Sequence, residues 1–141
     1  MHLNADFEEG HAGLARAAAR LGDEATVMST IAAGLTRRRD LRGDLLAEQA
    51  SALAVLGDSR RARKLAGKAS AHRTKPINLA LAWASVGDAD HAFACLARES
   101  FLVYWAPHAV WWDPRFDGIR DDRRFAEVRE RVVQAWLPEW P

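Results

Sequence analysis

One short signal recurs three times in the chain: Leu21-Gly22-Asp23, Leu56-Gly57-Asp58 and Val86-Gly87-Asp88. An apolar residue followed by glycine and aspartate between helix-like stretches has a direct physical reading. Glycine accepts the left-handed backbone that ends a helix, where any Cβ is penalised. The aspartate carboxylate then accepts from the first free N–H groups of the next helix. The glycines stand 35 and then 30 residues apart, a period that points to stacked helical hairpins.

The flanking sequence agrees. Phe7, Leu14, Ala18 and Leu21 share one face of a first helix, and Val27, Met28, Ile31 and Leu35 share one face of its partner. Leu46, Ala50, Leu53 and Leu56 stripe a third helix, and Ala62, Leu65, Ala66 and Ala69 a fourth. A fifth opens on Pro76, where the missing N–H costs nothing, and a sixth carries Ala92, Phe93 and Leu96. The hairpins are expected over residues 6–39, 43–72 and 76–98. No alternating run long enough for a strand occurs. Residues 99–120 form an aromatic connection interrupted by Pro107 and Pro114. A last helix over 121–136 places Phe125, Val128, Val132 and Trp136 on one face. The expectation is one all-α domain of three hairpins and a C-terminal capping helix, with the connection folded over the third hairpin.

The positions around the glycines resemble the tetratricopeptide repeat. Small residues fall seven before Gly57 (Ala50), five after it (Ala62) and twelve after it (Ala69). Ala80, Trp83 and Ala92 match around Gly87, while Val27 and Glu99 depart from the pattern around Gly22 and Gly87. The stretch from Ile77 to Val132 is similar to the C-terminal part of tetratricopeptide modules attached to bacterial signalling proteins. It is carried by Ala92-Phe93-Ala94-Cys95-Leu96, Asp113-Pro114-Arg115-Phe116 and Ile119-Arg120-Asp121-Asp122-Arg123-Arg124-Phe125, with Arg123 where proline is usual. The resemblance implies an α-α superhelix and a non-enzymatic scaffold binding a protein or peptide partner on its concave face. The effector domains that usually precede such a module are absent from this sequence.

By repeat geometry the concave face includes Glu9, Arg16 and Arg20, then Ala47, Ser51 and Val55, then Ile77, Leu81 and Ser85. Arg16, Arg20, Ser51, Ile77 and Leu81 are the expected partner-binding residues. For Ile77 and Leu81, packing beneath the aromatic connection competes with that role. The asparagine and lysine set with which chaperone-binding relatives grip a terminal carboxylate is missing. Of the six tryptophans, Trp83, Trp105, Trp111 and Trp112 are candidates for a partner-binding anchor or an aromatic pocket. Such a pocket would make the chain a sensory or small-ligand module, the alternative reading. Adjacent Trp111 and Trp112 cannot both face inward from one regular element.

Charge and composition narrow the function further. The net charge of +1 conceals a basic block, residues 59–87, with seven Lys or Arg and no acid. On a helix these charges spread around the polar half, with no aromatic residue between Phe7 and Trp83 for base stacking, which argues against nucleic acid. The block does complement the acidic ends, so head-to-tail self-association fits the pattern. Cys95 is the single cysteine, which excludes an intramolecular disulfide and suits a cytoplasmic setting. The N-terminal residues lack the pattern of a signal peptide. The uncharged stretch Pro76 to Gly87 is far shorter than the ~20 residues of a membrane span. The five histidines show no metal-ligand spacing, no phosphate loop or nucleophile elbow occurs, and no cofactor is implied. Asp113, Asp117, Asp121 and Asp122 read as caps and ion-pair partners of Arg115, Arg120 and Arg124.

Overall fold

In a computed structural model, which describes residues 8–101 and 105–136, every regular element is helical. The helices are α1 (Glu8–Arg20), α2 (Glu24–Arg37), α3 (Arg42–Val55), α4 (Ser59–Ser70), α5 (Pro76–Ser85), α6 (Ala89–Ala97), α7 (Trp105–Trp112) and α8 (Arg123–Trp136). Two 3-10 segments, Arg39–Leu41 and Pro114–Ile119, precede α3 and α8. Among the described residues no helix is long and apolar enough to cross a membrane.

All three glycine corners share one geometry. Gly22, Gly57 and Gly87 have φ of 75°, 88° and 76°. At the middle corner, Gly57 N donates to Ala54 O and Asp58 N to Leu53 O, the paired bonds that close a helix at a left-handed residue. The same pair of bonds recurs at Gly22-Asp23 and Gly87-Asp88. Each aspartate then turns its side chain to the next helix. Asp23 accepts from Thr26 N at 3.0 Å, Asp58 from Arg61 N at 3.1 Å and Asp88 from His91 N at 3.1 Å.

The corners produce the hairpins α1–α2, α3–α4 and α5–α6, and their lead helices α1, α3 and α5 pack side by side in that order. Helix α3 lies at the centre, touching α1, α2, α4 and α5, and is buried without interruption from Gly43 to Leu53. Alanine makes this close approach feasible: Ala15, Ala50, Ala62, Ala66, Ala69, Ala80 and Ala92 are fully buried at helix contacts. The same demand corrects the expected face of α1. It buries Ala15, Ala18 and Ala19 among Val27 and Ile31 of α2 and Leu45 and Ala52 of α3, whereas Leu14 and Leu21 point to solvent, because the alanine stripe is the one that meets both helices. Phe7 lies outside the described residues.

Helix α5 has no capping side chain of its own at Lys75, and two distant carboxylates supply one. Asp44 of α3 accepts from Lys75 N at 2.9 Å and from Asn78 Nδ2 at 2.8 Å. Glu99, which follows α6, accepts from Ile77 N at 3.1 Å. Both carboxylates are buried and sit where the helix dipole favours negative charge.

The aromatic connection is more ordered than the prolines suggest. It holds helix α7, with Pro107 in the first turn, where backbone N–H groups have no intrahelical partner to lose. The segment Pro114–Ile119 packs on α5, and α8 packs on α6 and α7. Phe125 of α8 meets Phe93 and Phe116 edge to face, at centroid distances of 6.3 and 5.7 Å. Arg131 donates to the carbonyls of Leu96 and Glu99, closing the open end of α6. Phe101, fully buried beneath Arg131, holds a left-handed φ of 57°. Its burial offsets the cost of that backbone, on the order of 1–2 kcal/mol.

Gly57→Val is expected to cost about 1–2 kcal/mol through left-handed strain, read as a lower urea midpoint. A Cβ on Gly43 would stand 2.0 Å from Thr74 Oγ1 and 2.7 Å from Arg73 O, whereas one on Gly67 of α4 meets nothing within 4 Å. Gly43→Ala should therefore destabilise by about 1–3 kcal/mol. Gly67→Ala should stabilise by roughly 0.5–1 kcal/mol. Opposite signs in parallel urea titrations check the pair.

Candidate functional site

The C-terminal ends of α1, α3 and α5 and the 3-10 segment together enclose an open cleft of about 850 Å³. Its floor is small and apolar, with Ala52 and Val55 from α3 and Ala84 from α5. Arg16 and Arg20 form one wall, and Asp113, Pro114, Arg115 and Gly118 form the other. The local sequence explains each wall. Arg16 and Arg20 are four residues apart on a helix and so project from one face. Asp113 folds back to accept from Arg115 N at 2.9 Å, the turn that Pro114 favours by fixing its own φ.

The two walls are joined by charge. Arg115 donates through Nε and Nη2 to Asp113, at 2.9 and 2.7 Å, and through Nη1 to Glu48 of α3 at 3.2 Å. Glu48 also faces Arg16, whose Nε lies 3.6 Å from Oε1, beyond hydrogen-bond reach. Burial pushes the Asp113 carboxyl up, but hydrogen bonds from Arg115 and the charges of Arg115 and Arg16 outweigh it. The group lies below its ordinary value. Burial likewise lowers Arg115, and the bond to Asp113 with the charge of Glu48 raises it further in the opposite direction. Both groups are thereby held in their charged forms, and the fork of Arg115 is used up inside the protein.

Arg16 and Arg20 are different. The Arg16 side chain is 40% exposed and, among the described residues, forms no closer ion pair than its 3.6 Å approach to Glu48. Arg20 is exposed and makes no ion pair or hydrogen bond among the described residues. Two guanidinium groups on adjacent turns repel each other mildly, so an anion placed between them is favoured twice over.

The remaining sequence candidates fall elsewhere. Ser51, Ile77 and Leu81 are 2%, 1% and 1% exposed, which corrects their assignment to a partner-facing surface. For Ile77 and Leu81 of α5, the Pro114–Ile119 segment packs on that helix, and Phe116 and Ile119 join them in the core. Ser51 lies in the stretch of α3 that is buried throughout among its neighbouring helices. Ser51 Oγ is buried without a hydrogen-bond partner among the described residues. Val55 and Ser85 do line the cleft. Trp83 is buried and stacks on His91 at 4.4 Å, while Trp111 lies under the Arg129 guanidinium at 5.2 Å. These two rings are thus engaged by different elements. Trp112 is 72% exposed. The side chains of Glu9 and Trp105 lie outside the described residues.

Sequence reasoning missed Glu48 and the cleft-forming role of Asp113-Pro114-Arg115. Their pairing was legible only as a local cap, because Glu48 and Arg115 stand 67 positions apart. Asp113 with Arg115, Asp117 with Arg120 and Asp122 with Arg124 do pair as read from the sequence. Comparison of the chain with protein-family profiles, curated proteins and solved structures finds no match.

Because its folded value is depressed, ionised Asp113 stabilises the fold fully above its ordinary value near 3.8. That contribution is lost as pH falls through the lower folded value. Asp113→Asn should be less stable at neutral pH, since Arg115 loses its counter-charge. It should also lose less of its remaining stability than the parent between pH ~5 and pH ~2, measured as urea midpoints.

Proposed function

We propose that this chain is a non-enzymatic scaffold that binds a protein or peptide partner in the cleft between α1 and the 3-10 segment. The three corners, their near-regular spacing and the ordered contact of α1, α3 and α5 support a tetratricopeptide-like superhelix with this cleft on its concave side. An extended segment laid over Ala52, Val55 and Ala84 would bring an acidic side chain to Arg16 and Arg20. The observation that carries the reading is the uneven use of the three cleft arginines. Arg115 is consumed by Asp113 and Glu48, whereas Arg20 has no ion pair or hydrogen bond among the described residues.

The state of the buried acid supports a binding role over catalysis. A general acid or base works best when its pKa is tuned toward neutrality. Asp113 is displaced the other way, and Arg115 is fixed in its charged form. We place the scaffold in the cytoplasm, where a lone buried thiol such as Cys95 stays reduced.

Arg20→Ala is the clean test, because Arg20 makes no ion pair or hydrogen bond among the described residues. Titrating a fluorescent acidic peptide selected on the parent chain should show affinity lower by about tenfold, or 1.4 kcal/mol, with unchanged circular dichroism. Equal affinity for parent and variant would remove the cleft from the reading.

A further inference from the structure

A second surface, formed by α7 and α8, carries its own charge. Helix α8 exposes Val133 at 43% and Trp136 at 46%, and α7, packed against it, exposes Trp111 at 40%. Arg129 stands one turn before Val133 on α8. Its guanidinium carbon lies 5.2 Å from the Trp111 ring centre and 5.1 Å from that of Phe125, so it is clasped between an outer and an inner ring. The Nε atom is buried with no hydrogen-bond partner.

The neighbouring arginines set this one apart. Arg115, Arg120 and Arg124 each pair with a carboxylate, and Arg131 donates to backbone carbonyls. Arg129 has neither kind of partner among the described residues, and its position is fixed by ring faces alone. A cation held rigidly in an apolar frame has little rotamer freedom left to lose and is partly stripped of water. Both conditions strengthen a bond to an incoming carboxylate.

We propose that the α7–α8 face is a docking surface for a protein segment in which a carboxylate lies beside a large apolar side chain. The carboxylate meets Arg129, and the apolar group covers Trp111 and Val133. The Arg129 guanidinium selects the carboxylate, and exposed Trp111 and Val133 select the large apolar neighbour.

The test uses the full chain carrying Arg16→Ala and Arg20→Ala, so that binding in the cleft does not contribute. Phage-displayed random peptides of about 12 residues are selected on it. Recovered sequences should place Asp or Glu within one helical turn of Leu, Phe or Trp. Their affinity should fall by about tenfold or more with Arg129→Gln and again with Val133→Asp. Val133 is exposed, so the second variant repels the carboxylate without disturbing the core, and thermal unfolding checks that both variants fold. Four results would overturn the proposal: recovered peptides without acids, affinity unmoved by either variant, Trp111-dependent dimers in sedimentation, or binding of anionic phospholipid vesicles in place of peptide. None of them bears on the cleft, whose arginines are absent from the test protein.

Discussion

At each corner of this molecule a single aspartate does two jobs. Its backbone N–H closes the helix behind it, bonding five residues back, while its carboxylate opens the helix ahead. Only a left-handed residue just before it brings both within reach, and glycine takes that conformation without steric cost. The direction of every hairpin follows from this three-atom-wide constraint. So does the alignment of α1, α3 and α5, and hence the location of the cleft at their C-terminal ends.

Much of that architecture could be read from the chain because its determinants are local. Gly57 and Asp58 are adjacent, and their consequences reach only five residues back and three forward. The same holds for Asp122, which accepts from Arg124 N and starts α8. Periodicity was less reliable where helices touch closely: in α1 it favours Leu14 and Leu21, but contact distance selects the alanines. Helix α7 was hidden because Pro107 usually breaks a helix, and only its place in the first turn spares it. The cleft was half legible. Arg16 and Arg20 are visible as a helical pair, whereas the cover over Ile77 and Leu81 comes from a segment more than thirty residues further along. No pattern within α3 or α5 announces that cover.

Electrostatics sorts seven arginines of the cleft and the C-terminal segment into two populations. Arg115, Arg124 and Arg131 spend their donors on carboxylates and carbonyls and fasten the C-terminal segment to the hairpins, and Arg120 ties that segment to α7. Arg16, Arg20 and Arg129 are held by their helices yet lack full partners among the described residues. The first population is structural, its donors taken up by carboxylates and, for Arg131, by backbone carbonyls. The second leaves unspent charge at two separate places, each beside small or aromatic apolar surface.

The start of α5 has a consequence for how the molecule comes apart. Its caps come from Asp44, thirty-one positions before Lys75, and from Glu99, twenty-two positions after Ile77. In a linear array each unit melts with reference only to its neighbours' faces. Here the first amides of the third hairpin are tied to chain on both sides of it, so fraying at either end unprotects the middle. Amide exchange in α3, α5 and the residues after α6 should accordingly follow one common opening event, making these elements a single cooperative unit.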